Sequence, residues 1–155
     1  MAGLILLATV TALYAGYNLF IKLSGGQVPA EATTTILATI CLQISALLTS
    51  VLFLNFLIMR GGHVLTLSMG SYFWAAVAGI CIGGAEIAYL YLFGGIGLSK
   101  PMAASTAIPT IVSGTIVISM LFSYLVLKET IAWNQILGSL IIVFGIFLFF
   151  IKTHA

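Results

Sequence analysis

Five apolar runs, each long enough to cross a bilayer and parted by only a few residues, constrain this chain more than any other feature. They cover Gly3 to Leu23, Thr34 to Met59, Ser71 to Gly95, Met102 to Leu127 and Ile131 to Ile151. In hydrocarbon no water satisfies a backbone N–H or C=O, so each run must close its hydrogen bonds internally, as a helix does. The sequence therefore predicts an all-α polytopic membrane protein: a single five-helix transmembrane domain over residues 1–155, with helices at about 3–23, 34–59, 71–95, 102–127 and 131–151. The punctuation between runs agrees with this. Ser24-Gly25-Gly26-Gln27-Val28-Pro29, Arg60-Gly61-Gly62-His63, Gly97-Leu98-Ser99-Lys100-Pro101 and Lys128-Glu129-Thr130 are all turn or helix-end chemistry, and none is long enough for a soluble domain.

Only 5% of the residues are charged, where soluble domains carry about 25%. Lys22, Arg60, Lys100, Lys128 and Lys152 stand singly against Glu31, Glu86 and Glu129, so there is no basic patch of the kind that holds nucleic acid. Cys41 and Cys81 fall in apolar runs, where they pack as small soft side chains and report nothing of the redox compartment. The first run has no basic leader and is expected to be a permanent span. Tyr72, Trp74, Tyr124 and Trp133 lie near expected helix ends, where amphipathic rings suit the membrane interface.

With an odd number of spans the termini lie on opposite sides, yet the basic residues do not choose between them. With the N-terminus inside, its amine, Arg60 and Lys128 balance Lys22, Lys100 and Lys152 outside. Two readings follow. One orientation wins for reasons the charges do not reveal, or both insert and two copies pair antiparallel, generating an inverted repeat.

Glu86, in Gly83-Gly84-Ala85-Glu86-Ile87-Ala88-Tyr89 near the centre of the third run, is the one ionisable residue well inside a span. A charge at mid-bilayer costs about 2.5–3.5 kcal/mol on insertion scales, so it should face a partner, a cavity or a substrate path. It serves either as a protonated acid tying helices together or as a proton or cation site. Low dielectric disfavours its charged form; a cationic substrate competing with its proton would couple efflux to a proton gradient.

Weaker polar stripes mark candidate cavity walls: Thr11, Tyr14 and Asn18 in the first helix, Thr35, Thr39, Gln43 and Ser50 in the second, Thr106, Thr110 and Ser113 in the fourth. Hydroxyls readily bond back to their own helix, so Asn18, Gln43 and Tyr89, whose groups need partners that lipid lacks, are the stronger candidates. Pro109 removes a backbone bond inside helix four and offers a kink or hinge. Gly79 with Gly83, and Gly138 with Gly145, would permit close helix approach. Gly94 to Lys100 fails as a phosphate loop because Ser99 precedes Lys100 where a glycine is required, and His63 and His154 are too far apart in sequence to suggest a metal pair.

From Ala88 to Phe149 the order of motifs resembles the closing part of an EamA-like repeat of the drug/metabolite transporter superfamily. The elements are Leu98-Ser99-Lys100-Pro101, Pro109, Leu127-Lys128-Glu129-Thr130, and Gln135-Ile136-Leu137-Gly138 with Gly145; Tyr14-Ala15-Gly16-Tyr17-Asn18 and Lys22 resemble the opening helix. The resemblance implies one half of a ten-helix inverted-repeat transporter fold, completed by a second copy or by another chain. It also implies export or exchange of small organic molecules such as amines, amino acids, drugs or sugars, or, as in some small relatives, movement of lipid-linked sugars. The small four-helix exporters of the superfamily carry a glutamate in their first helix; this chain has none there, so the role of Glu86 rests on its burial. Glu129 matches a glutamate often found at that helix exit and is expected to partner Lys128.

Together these readings give a secondary transporter, not an enzyme, working in a prokaryotic inner membrane as an antiparallel homodimer by alternating access. Tyr14, Asn18, Gln43, Glu86, Tyr89 and Thr110 are the expected substrate-binding residues, Glu86 the proton-coupling group, and Gly83, Gly84 and Pro109 the hinges. No metal or cofactor is expected, and the partners are a small organic substrate, lipid and a second copy. A non-transporting or lipid-moving subunit that needs a different partner chain is the alternative. An intramembrane enzyme is the weakest reading, because one glutamate has neither a nucleophile nor a second acid beside it.

Overall fold

In a computed structural model of the chain the described residues are 1–62 and 64–151, without the side chains at 149 and 150; His63, Lys152 and His154 lie outside them. Among the described residues there are five helices and no strand: α1 Ala2–Gly25, α2 Ala32–Arg60, α3 Met69–Gly94, α4 Ala104–Leu125 and α5 Trp133–Phe150. The first four are long and apolar enough to cross a membrane. The fifth has 18 residues and rises about 27 Å, a little short of a hydrocarbon core of about 30 Å.

Helix ends follow capping chemistry more closely than hydropathy. The α1 C-terminus closes with the Gly26 N–H donating to the Lys22 carbonyl at 3.1 Å. The chain then passes through Pro29 to an extended Glu31, whose carbonyl accepts the hydroxyls of Thr34 and Thr35. Gly61 and Gly62, both at positive φ, stop α2. The hydroxyl oxygen of Ser68 accepts the Ser71 N–H at the start of α3, two residues before the apolar run suggests. At the other end Gly95 has φ 78° and packs against Pro101, which would lie 3.0 Å from any Cβ added there. Helix α4 starts at Ala104 rather than residue 102 and ends at Leu125 rather than 127, although Met102, Ala103, Val126 and Leu127 are all apolar. Apolar character buries a residue but does not supply the missing helix-end bonds.

The helices fall into two compact units, Met1–Pro101 and Met102–Ala155. In the first, α3 packs against both α1 and α2; in the second, α4 and α5 form a helical hairpin. The core of the first unit is small: Ile21, Leu90 and Phe93 with the polar side chains of Asn18, Thr35, Thr39 and Glu86. Gly25 fixes the α1–α3 spacing, since a Cβ there would stand 3.0 Å from Phe93 Cβ. Long tracts of leucine, isoleucine and phenylalanine face outward, as expected of helices solvated by lipid. Most outward hydroxyls are satisfied within their own helix: Thr9 donates to Ile5 O at 2.9 Å, Thr11 to Leu7 O at 2.8 Å, and Ser50 to Ala46 O at 3.1 Å. In α4 the Ser113 hydroxyl donates to the carbonyl of Pro109 and covers polar backbone at the proline.

Candidate functional site

The candidate site lies in the α1–α3 unit. Helical spacing sets Tyr14, Tyr17 and Asn18 on one side of α1, where successive residues three or four apart are neighbours. On α3, Ile82, Glu86, Tyr89, Leu90 and Phe93 form the matching stripe at intervals of one turn. Where the two stripes meet, Tyr89 donates its hydroxyl proton to Asn18 Oδ1 at 3.1 Å, a bond between residues far apart in sequence. Asn18 is 8% exposed, so this pairing supplies a polar partner that lipid cannot.

Four rings run along the α1–α3 seam. Tyr14 and Tyr17 meet edge to face with centroids 6.4 Å apart, Tyr17 and Tyr89 likewise at 6.2 Å, and Tyr89 and Phe93 tilt together at 5.5 Å. The Lys22 ammonium sits 4.9 Å from the Phe93 centroid and ends the row with a cation–π contact.

Glu86 is 6% exposed. From α2 the Gln43 side chain comes near its carboxyl group. Its Oε2 is fully buried and is the one buried side-chain polar atom among the described residues without a hydrogen-bond partner. Gln43 reaches α3 over Gly83, whose missing Cβ would lie 3.0 Å from Gln43 Nε2. Along the α3 axis Glu86 is about 12 Å from the helix end at Gly94 and about 25 Å from its start, so it sits off-centre, toward the end that carries the α1–α2 connection.

Beside the carboxyl group opens a cleft of about 240 Å³ lined by Leu13, Tyr14, Tyr17, Ile82 and Glu86. Its walls are aliphatic and aromatic, and the polar groups on its lining residues are the acid and the two tyrosine hydroxyls. Tyr14 is 59% exposed, which makes it the outer lip, and Tyr17 is the more buried of the two rings.

Of the residues expected to bind substrate, Tyr14 and Glu86 line this cleft, Gln43 lies over Gly83 one turn from the acid, and Asn18 and Tyr89 brace the adjoining seam. Thr110 belongs to the α4–α5 unit, where its hydroxyl donates to Thr106 O at 2.7 Å, and Pro109 lies beside it. Of the expected hinges in α3, Gly83 accommodates Gln43, while Gly84 faces open space. The close helix approaches are made at Gly25 and Gly83. Gly79, Gly138 and Gly145, expected to pack closely, have no atom of their own units within 4 Å of an added Cβ. Tyr17 was absent from the residues expected to bind substrate. Its spacing of three from Tyr14, with Asn18 next to it, is the signal that marks it.

Among the described residues no group of three or more histidine, cysteine, aspartate or glutamate side chains is arranged to hold a metal ion. No family model, characterised protein or solved structure gives a significant match to the chain.

Proposed function

We propose that the chain is a secondary active transporter of small organic molecules, with the Glu86 cleft as its substrate and coupling site. The observation that carries this reading is the Glu86 carboxyl group: an acid within a membrane-spanning helix that lines an aromatic cleft and keeps one buried oxygen without a hydrogen-bond partner. An acid serving only to tie helices together would use its oxygens for that purpose, and an unpartnered buried acceptor costs about 1–3 kcal/mol. A site that alternately takes a proton and a substrate has a reason to keep that oxygen bare.

The working unit in this reading is an antiparallel homodimer of the drug/metabolite transporter type, each copy supplying one five-helix half in a prokaryotic inner membrane. The balanced distribution of basic residues supports insertion in both orientations. Alternating access would rock the halves about the Glu86 sites, and Pro109 in α4 and the open face at Gly84 are the places where helices could rearrange. The chain is read as a carrier and not an enzyme because the cleft offers one acid and no nucleophile.

Charge movement in proteoliposomes tests the proposal, with purified wild type and Glu86→Gln challenged by organic cations, amines and neutral amino acids across a pH step. A substrate-dependent signal lost in the variant is the expected result. Signals equal in both would remove Glu86 from the mechanism. Silence throughout, with electroneutral flux of labelled substrates also absent, would shift the reading to a subunit that needs a different partner chain.

A further inference from the structure

The cleft beside Glu86 is selective in what it lacks. The hydroxyl proton of Tyr89 is committed to Asn18 and so is not offered to a ligand. What the cleft presents beside its aliphatic and aromatic walls is the carboxyl group of Glu86, with no basic side chain among the lining residues to neutralise it. Three demands on a ligand follow. It must bring one positive charge, because a neutral molecule would bury the carboxylate without a counter-charge. It must bring a hydrogen-bond donor, because a desolvated acceptor recovers its lost water only from an N–H or O–H. It must have an apolar body, because Leu13, Ile82 and the rings of Tyr14 and Tyr17 make up most of the wall.

We propose that this cleft binds a protonated primary or secondary amine carrying a small apolar body, its N–H donated to the Glu86 carboxyl group and its skeleton laid against Tyr14, Tyr17 and Ile82. The inference rests on the reading of the cleft as a substrate site and adds its chemical class. A quaternary ammonium satisfies the charge but not the donor, so the cleft discriminates against it, although the tyrosine rings would attract either through cation–π contact. A volume of about 240 Å³ suits one ring and a short chain, below the range of about 300–1,000 Å³ usual for drug-sized ligands. A bare metal ion is disfavoured, because one carboxylate in an apolar cleft supplies few of the six or so oxygens that a hard cation requires. The amine could be a free solute or the headgroup of an aminophospholipid, which present the same –NH3+.

Equilibrium dialysis of the full chain in detergent tests this, with radiolabelled 2-phenylethylammonium as probe and its N,N,N-trimethyl analogue and 2-phenylethanol as competitors. The primary amine is expected to bind, with both competitors weaker by about tenfold or more, since a site built around a hydrogen bond rejects analogues that leave it unmade. Ile82→Trp, at a half-exposed position on the cleft wall, is expected to abolish binding by filling the space, and Glu86→Gln to weaken it by about tenfold or more. Competition by phosphatidylethanolamine in mixed micelles but not by phosphatidylcholine would support the proposal and name the source as lipid; competition by neither, with the free amine bound, would support it with a solute. Binding of the trimethyl analogue or the alcohol as tight as the amine, unchanged binding in Ile82→Trp, or no amine binding to protein of native helical content would overturn it. Transport of other substrates without amine binding sinks this inference alone, whereas amine binding without flux of any substrate sinks the transporter reading alone.

Discussion

Alanine at Gly83 and alanine at Gly84 should behave differently, although the two positions are neighbours on one helix. At Gly84 an added Cβ meets nothing within 4 Å, so Gly84→Ala should be neutral or slightly stabilising, by up to about 1 kcal/mol from helix propensity. At Gly83 the same methyl group would stand 3.0 Å from Gln43 Nε2. Gln43 is flexible at its far end, so it should swing away rather than force α2 and α3 apart, and its polar contact with α3 near the Glu86 carboxyl group would be lost. An interhelical polar contact in a bilayer is worth about 0.6 kcal/mol on average and at most about 1.7 kcal/mol, which sets the expected loss. A double-mutant cycle with Gln43→Ala isolates it: without Gln43 the methyl group has nothing to displace, and Gly83→Ala should then resemble Gly84→Ala. Reversible unfolding in mixed detergent micelles, followed by far-ultraviolet circular dichroism, gives the four stabilities. A Gly83→Ala penalty of the same size with and without Gln43 would refute the argument, because the methyl group would then be meeting something other than that amide.

Tyr89→Phe removes the bond to Asn18 and strands a buried amide oxygen, so it should lower unfolding stability by about 1–3 kcal/mol while keeping the ring row, as the same micelle titration would show. Gly25→Val should be worse tolerated than Gly16→Val, because the Gly25 Cβ would meet the fixed Cβ of Phe93 at 3.0 Å whereas the Gly16 Cβ would meet only the tip of Phe20 at 3.7 Å. Overpacking of this kind costs about 1–3 kcal/mol, and lowered yield of folded protein is the cheap readout. Single cysteines at the two ends of α5, with Cys41 and Cys81 replaced by serine, should crosslink between copies in antiparallel combinations; parallel combinations only would contradict the proposed pairing.

Much of the fold is legible in the sequence because lipid simplifies the problem. A run such as Thr34 to Met59 must be helical wherever it sits, and Gly61-Gly62 must end it. Boundaries near Met102 and Leu127 are less legible, since those side chains are apolar while their backbone lies outside α4. The acid of the site stands out as the one carboxyl group well inside a span, but its surroundings do not. Nothing local to Asn18 says that its partner is Tyr89, because neighbour choice among helices depends on small-residue contacts such as Gly25 against Phe93 that have no periodic signature. Tyr17 is hidden for a different reason: tyrosines are common at membrane interfaces, and only the packing of α3 turns this one into a cleft wall.

The central claim is that Glu86 exchanges a proton for substrate from within the membrane. A lipid-soluble carbodiimide, which modifies protonated carboxyl groups in apolar surroundings, tests it directly when the modified peptides are read by mass spectrometry. Modification confined to Glu86, absent from Glu31 and Glu129, and slowed about tenfold or more by a saturating amine or another transported substrate is the result expected from competition for one site. An unreactive Glu86, or a rate that no substrate in the panel alters, would contradict it.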